Sequence, residues 1–426
     1  MKKIVIIGGG FAGLSSASFL SNSGFKVELL EASPKLGGRA YSFVDNETAA
    51  VIDNGQHILM GCYYETLNFL KLIGSEEKLS KQSHLSVNFV KQHFELCPLL
   101  VSSAFFPFNL LSAVFNYSAV SFYEKLLFIK FFTKIYLYVE KDLKKLTVFE
   151  WLIKEKQTTN LIKSFWEILA VSALNTDIKK ASANIFASVL KRIFFRGNAA
   201  SVIILPSLGL SETYCDNALS FINGNNGNIS LSESVIKLTF QENVIKEIIT
   251  SKRVITDFDY LISTLPLYAL KKVINGNNCF PDFELEYSSI LTVHLFLKEN
   301  RFENTFYGLI DSPVQWVFNK GSHLTVVISN ADKFIDASNE EIINLILSEL
   351  KKYILLESSD LTKYRIIKEK RAGFVPSNNI LDKRPSAYTP YKNFFLAGDW
   401  TATGLPATIE SAVKSGRIAA EAVQMH

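Results

Sequence analysis

Ile4-Val5-Ile6-Ile7-Gly8-Gly9-Gly10-Phe11-Ala12-Gly13 is the stretch on which the fold turns. Four consecutive β-branched residues without polar alternation are the pattern of a parallel strand covered on both faces. The run breaks at glycine, well short of the roughly 7 to 15 apolar residues of a secretory signal. The glycines follow the spacing G-x-G-x-x-G, and Gly13, Ala17 and Leu20 then recur at i, i+4 and i+7, one face of a helix. Each glycine has a task. Gly8 permits a tight turn, Gly10 lets the backbone approach a pyrophosphate, and Gly13 lets the helix press on the strand, so that the helix N-terminus faces the phosphates. Lys26 to Leu30 reads as a second strand, and Glu31 closes it 18 residues after Gly13, where a carboxylate accepts ribose hydroxyls. Together these predict a dinucleotide site in a Rossmann-like α/β domain.

Next comes Ala32-Ser33-Pro34-Lys35-Leu36-Gly37-Gly38-Arg39. Here the sequence resembles the FAD-dependent amine oxidase and carotenoid desaturase superfamily, in which a Gly-Gly-Arg turn follows the ribose-binding acid. The resemblance implies FAD as cofactor, with Gly37, Gly38 and Arg39 running beside it. Paired glycines permit close backbone approach, and a guanidinium presents a planar fork to anionic oxygens. The superfamily also places a cofactor segment at the far end, and Asn393-Phe394-Phe395-Leu396-Ala397-Gly398-Asp399-Trp400 matches it. By resemblance, Gly398 and Asp399 meet the ribityl or pyrophosphate region. Pro406 fits the first turn of a terminal helix with Ile409, Ala412, Val413, Gly416 and Ala420 on one face. Its start at Ala407, Thr408 and Ile409 would point at the pyrimidine side of the flavin, where the helix dipole favours the reduced form. In relatives the strand matching Val235 touches adenine through its backbone. The Asn223 to Asn228 run is read as the turn leading to it.

Asp53-Asn54-Gly55-Gln56-His57-Ile58-Leu59-Met60-Gly61 followed by Tyr63 looks like a segment of bacterial hydroxysqualene dehydroxylases. Three other stretches agree: Ala173 to Thr176 with Ala181 to Ala183, Pro206 with Gly209 to Ser211, and Thr403 to Glu410. This resemblance implies reductive removal of the hydroxyl of hydroxysqualene, a long-chain isoprenoid, to give squalene in hopanoid and triterpene biosynthesis. A carotenoid desaturase or an amine oxidase of the same fold is the alternative, and a cofactor-free escort protein is disfavoured by the presence of Glu31, Arg39 and Asp399. For His57 and Gln56 two readings stand open. His57 can be the acid that protonates the departing hydroxyl, or both can hydrogen-bond the flavin ring or the Arg39 turn.

Composition bounds the rest. In 426 residues, 48% hydrophobic and 20% charged residues exclude disorder, and a net charge of +4 argues against a nucleic-acid partner. Cys62, Cys97, Cys215 and Cys279 form no CxxC pair, and no histidine spacing suggests a metal. No cysteine follows Cys279, so a thioether link near the C-terminal motif has no donor and FAD is expected to be non-covalent. From Leu96 to Tyr123 there is no charged residue, but Pro98, Pro107, Asn109, Asn116 and the interspersed serines argue against an inserted helix. Beyond it, Leu126, Ile129, Phe132 and Tyr136 share one helical side and Lys130, Lys134, Lys141 and Lys145 another. That pattern suits either a bilayer interface or a core helix with a solvated lysine face. The expectation is a cytoplasmic protein, peripheral on the inner face of the cytoplasmic membrane if 96–145 docks there. The predicted architecture is interleaved: 1–75, 205–270 and 386–426 form the FAD-binding domain, and 76–204 and 271–385 a mixed α+β substrate-binding domain.

Overall fold

The opening run forms strand β1 (Lys3–Ile7), in which Ile4, Val5 and Ile6 are wholly buried. The structure, a computed structural model, describes every residue except Phe105, Phe106, Asn278, Arg301 and Leu355, and leaves out the side chains of Glu140, Lys141 and Ser358. Helix α1 (Phe11–Asn22) follows β1 directly and leads to β2 (Lys26–Leu30). The chain returns to this sheet much later with β3 (Gly227–Ser230), β4 (Tyr260–Ser263) and β5 (Phe394–Leu396). The five strands are all parallel, in the order β3-β2-β1-β4-β5. Covered on both sides, such strands carry apolar residues at successive positions, as β1 does.

The terminal helix α2 (Ile409–Gln424) packs on α1. The approach is close because the meeting residues are small: a Cβ on Gly416 would lie 2.1 Å from Ser15 Oγ. Ser16 Oγ donates to Gly416 O at 3.0 Å and Ser15 Oγ to Val413 O at 3.3 Å, tying the two ends of the chain. Pro406 lies ahead of α2 rather than in its first turn, because Thr408 is the N-cap and its hydroxyl accepts from Ser411 N–H at 3.2 Å. The predicted turn at 223–228 is shorter than expected. A helix over Asp216–Gly224 runs into it, and β3 already begins at Gly227.

Residues between these segments build a second, seven-stranded mixed sheet. Its strands come from both long insertions: Ser86–Lys91 and Glu95–Leu100 from the first, and five strands between Tyr287 and Phe374 from the second. Tyr307–Leu309 pairs in parallel with Asn88–Val90, and that pairing joins the two insertions. Helices from 108–194 cover this sheet through Trp151, Trp166, Phe131 and Phe186, all with less than 2% exposure. The architecture is therefore α/β, a parallel Rossmann-type sheet beside a mixed substrate-side sheet.

The charge-free run is broken into a strand end and the helix Phe108–Asn116, and among the described residues no helix is long and apolar enough to cross a membrane. The Phe122–Leu137 helix buries Glu124, Phe128, Phe131 and Ile135. The stripe expected from the sequence is thus not its core face: Leu126 and Tyr136 are exposed, and Ile129 and Phe132 half-buried. Lys141 carries part of the predicted lysine side, but its side chain lies outside the described residues.

Candidate active site

The five parallel strands end at one edge, where the first glycine loop, the Gly37-Gly38-Arg39 turn and the segment 398–409 converge. Gly8 has φ +105°, and its N–H donates to Leu30 O at 2.8 Å, which turns the chain off β1. Gly13 admits no side chain at all, since a Cβ would stand 1.8 Å from Gly8 O. Gly10 and Gly38 face each other across a slot: a Cβ on Gly10 would be 3.9 Å from the Gly38 Cα, and one on Gly38 3.2 Å from the Gly10 Cα. Gly37 N–H donates to Gly9 O at 2.9 Å and holds the second loop on the first. Glu31 closes the loop, its Oε2 accepting from Gly9 N–H at 2.6 Å and its Oε1 from Ser33 N–H at 2.7 Å. Gly8, Glu31 and Val235 line one cavity beyond this point, with Leu265 and Lys272 opposite.

Arg39 reaches the other end of the chain. Its Nη2 lies 2.8 Å from Asp399 Oδ1 and its Nη1 donates to Ala372 O at 2.9 Å. The Asp399 carboxylate raises the Arg39 pKa further above its ordinary value, so the guanidinium is a fixed positive charge. Gly398, at φ +138°, takes its place because a Cβ there would strike Trp400 Nε1 at 2.6 Å, and its N–H donates to Ser415 Oγ at 2.7 Å. Ala407 sits against Gly373, whose added Cβ would come within 2.9 Å of the alanine methyl. Sequence reasoning missed Arg384, which organises this loop. Buried, it donates to Asp399 O at 2.7 Å, Leu405 O at 2.7 Å and Thr403 Oγ1 at 3.0 Å. Burial lowers its pKa to about 10, still well above neutrality.

The Asp53 to His57 segment is pinned from both sides. Asn54 Nδ2 donates to Arg39 O at 2.9 Å and Asn54 Oδ1 accepts from Tyr41 N–H at 3.0 Å, which locks it to the Arg39 turn. Asp53 Oδ1 accepts from Ser42 Oγ at 2.7 Å and Leu210 N–H at 3.0 Å. What this support presents is a pair of orphans: Gln56 Oε1 and His57 Nε2 are buried without a hydrogen-bond partner. A buried polar atom left unpaired costs about 1 to 3 kcal/mol, a cost that a ligand or a water bound at these two atoms would remove. Burial pushes the His57 pKa down to about 4, the Asp53 charge opposing that shift and the Arg39 and Lys320 charges adding to it. At neutral pH the imidazole is uncharged. That favours the hydrogen-bonding reading of Gln56 and His57 over an imidazolium acid.

FAD fits these residues. The slot between Gly10 and Gly38 is free of side chains, Arg39 supplies a cation beside it, the N-termini of α1 and α2 lie side by side, and the orphaned atoms of Gln56 and His57 await a polar ring. The segment Leu405, Pro406 and Thr408 then forms a shared wall, because the same residues line a large cavity in the substrate-side domain. That cavity encloses about 1120 Å³ of empty space including its mouth. Its wall is apolar, with Leu85, Val87, Phe89, Phe165, Ile193 and Trp316 prominent, and its charged members are Arg192 and Glu410. Among the described residues no group of three or more His, Cys, Asp and Glu is placed to hold a metal ion.

Residues 11–424 match the family described as flavin containing amine oxidoreductase. The chain is 29% identical to a hydroxysqualene dehydroxylase of Sinorhizobium fredii, over 99% of this chain and 98% of that protein. It is 27% identical to the corresponding enzyme of Zymomonas mobilis, over 99% of each. Among solved structures, cyclohexylamine oxidase from Brevibacterium oxydans superposes with a TM-score of 0.70 at 13% identity, over 100% of this chain and 99% of that one, a likeness of fold.

Proposed function

We propose that this chain, which belongs to the flavin-containing amine oxidoreductase family, removes the hydroxyl group of hydroxysqualene reductively and forms squalene. The observation that carries the reading is the cavity wall: apolar almost throughout, it meets the cofactor segment at Leu405, Pro406 and Thr408. The relatives named for hydroxysqualene dehydroxylation, matched along nearly their whole length, support the same substrate. The alcohol takes up two electrons and two protons and yields the hydrocarbon and water. A reduced flavin, held without a covalent link by the Gly8 to Gly13 loop, the Gly37-Gly38-Arg39 turn and the Gly398-Asp399 segment, would supply the two electrons as hydride. The residues of the chain do the rest. Trp316, Phe165, Ile193 and the other apolar side chains keep out the water that would recapture an allylic cation. Gln56 and His57 would hydrogen-bond the flavin ring as neutral groups. An anaerobic single-turnover experiment tests the reading: chemically reduced protein mixed with hydroxysqualene should form squalene in step with flavin reoxidation. Failure of both, with a yellow protein, would return the choice to carotenoid and amine substrates.

We further propose that the substrate enters from a lipid surface. Phe122, Tyr123, Leu126, Tyr136 and Leu137 are between 47% and 73% exposed on one helix, with Lys130 also exposed. From Tyr136 a series of aromatic rings leads inward through Phe195 at 5.6 Å and Phe132 at a further 4.9 Å to Phe194 at 5.3 Å, which lines the cavity. Amphipathic aromatic residues beside lysine suit an anionic bilayer interface. Sedimentation with anionic liposomes checks this; protein that stays in the supernatant at low salt would sink the idea.

A further inference from the structure

Most polar groups in the cavity wall are committed to partners within the protein. Ser172 Oγ donates to Ile168 O at 2.6 Å and accepts from Trp316 Nε1 at 2.7 Å. Thr408 Oγ1 caps α2. Glu410 Oε1 accepts from Glu65 N–H at 3.1 Å, and its Oε2 from Thr66 N–H at 2.9 Å and Thr66 Oγ1 at 2.8 Å, so both oxygens serve the start of the Tyr64–Leu72 helix. Cys62 and Tyr63 are neutral, and burial keeps them so, pushing the thiol up to about 12 and the phenol above its ordinary range. Arg192 differs. It stands on the Ala183–Phe194 helix among Val189, Ile193 and Phe194, lines the cavity, and makes no hydrogen bond or ion pair with the described residues.

The cavity it lines meets the cofactor segment at Leu405, Pro406 and Thr408. The Arg192 charge acts on Cys62, which follows the Gln56 to Gly61 segment, and on Lys414 of α2, whose Nζ donates to Thr403 O at 2.8 Å. Arg192 is half-buried, so its guanidinium reaches the cavity with donors that no group of the described residues takes up, and a ligand oxygen in the cavity can accept from them. It is always protonated, so it offers donors and no removable proton at neutral pH.

We propose that Arg192 recognises the oxygen of an isoprenoid alcohol, holding the hydroxyl at the cofactor end of the cavity while the hydrocarbon arms lie along the apolar walls. The inference rests on the substrate reading above and assigns the residue that tells the alcohol from the hydrocarbon product. A hydrogen bond to a charged donor separates the two by roughly ten- to a hundredfold in affinity.

The test uses the oxidised FAD-loaded protein, which binds without turning over. Wild-type protein is titrated with hydroxysqualene and with squalene while the flavin absorbance is followed. The expected result is an alcohol preference of at least about tenfold, lost in Arg192→Met with squalene affinity unchanged, and retained in reduced measure in Arg192→Lys, which keeps the charge and stem. Equal affinities in the wild type, or full preference in Arg192→Met, overturns the proposal. If Arg192→Met does not fold, the wild-type ratio and Arg192→Gln decide, since full alcohol preference in Arg192→Gln, which removes the charge but keeps a polar side chain, would also overturn it. Squalene formation by the reduced wild-type protein is scored separately, so a failed reaction and a failed recognition residue are told apart.

Discussion

Replacing Gly10 with alanine separates the fold from the cofactor. Gly10 has φ −82° and ψ −175°, which an alanine adopts without strain, and the added methyl would meet nothing nearer than the Gly38 Cα at 3.9 Å. Two small effects on the protein oppose each other. Alanine reduces the freedom of the unfolded chain, worth about 0.4 to 1 kcal/mol, and is a poorer N-cap than glycine by about the same amount. The net change in stability of the flavin-free protein should stay within about 0.5 kcal/mol, a shift of no more than about 2 °C in Tm. The methyl, however, stands in the slot through which a pyrophosphate would approach the α1 N-terminus. Overfilling a tight site costs about 1 to 3 kcal/mol, which is roughly a 5- to 150-fold loss of FAD affinity. Denaturant melts of the flavin-free protein measure the first quantity and titration by flavin fluorescence the second. A Gly10→Ala protein that binds FAD as tightly as wild type would refute the placement of the cofactor between Gly10 and Gly38.

Gly13→Ala should behave in the opposite way, leaving little soluble folded protein, because its Cβ would lie 1.8 Å from Gly8 O; circular dichroism of the soluble fraction decides. His57→Ala is expected to keep bound FAD and lose turnover at least tenfold, the size of one buried hydrogen bond, and unchanged activity would remove His57 from the site. Burial holds His57 and His323 near 4 and His294 near 3, below the value of about 6.5 in an unfolded chain. Between about pH 6.5 and 4 the unfolded chain therefore binds more protons, and stability falls as pH drops, by up to about 1.4 kcal/mol per pH unit for each histidine. Urea midpoints at pH 7.5 and 5 read this out, and equal midpoints would contradict it.

What could be read from the sequence was what local spacing determines. Gly8, Gly10, Gly13 and Glu31 belong together because a strand, a tight turn and a helix are consecutive in the chain, so their spacing is set by local geometry. The start of α2 was placed within about a residue, since Thr408 caps it by a short-range hydrogen bond, but a proline was misplaced there because its fixed φ suits an extended approach equally well. Arg384 and Arg192 carried no local signal. Arg384 matters through carbonyls 15 to 21 residues away, and Arg192 through its place in the cavity wall without a partner among the described residues, which only three dimensions reveal. The Phe122–Leu137 helix misled for a related reason. Its apolar residues lie on more than one side, and the choice of buried side was made by Trp151, Trp166 and Phe165, far along the chain.

The pairing of β4 with β5, Leu261 opposite Phe394, and the bonds from α1 to Val413 and Gly416 have a consequence for synthesis of the protein on the ribosome. The strand and helix that close the site of the first glycine loop are made only after residue 393, far behind the loop itself. At roughly 5 to 20 residues per second, a nascent chain waits about 20 to 80 s before α1 gains its packing partner α2, and β4 gains β5 only when residue 394 has been made. A cofactor held between these segments can be enclosed only after they have emerged, and chains truncated before residue 394 should bind FAD far more weakly than the full chain.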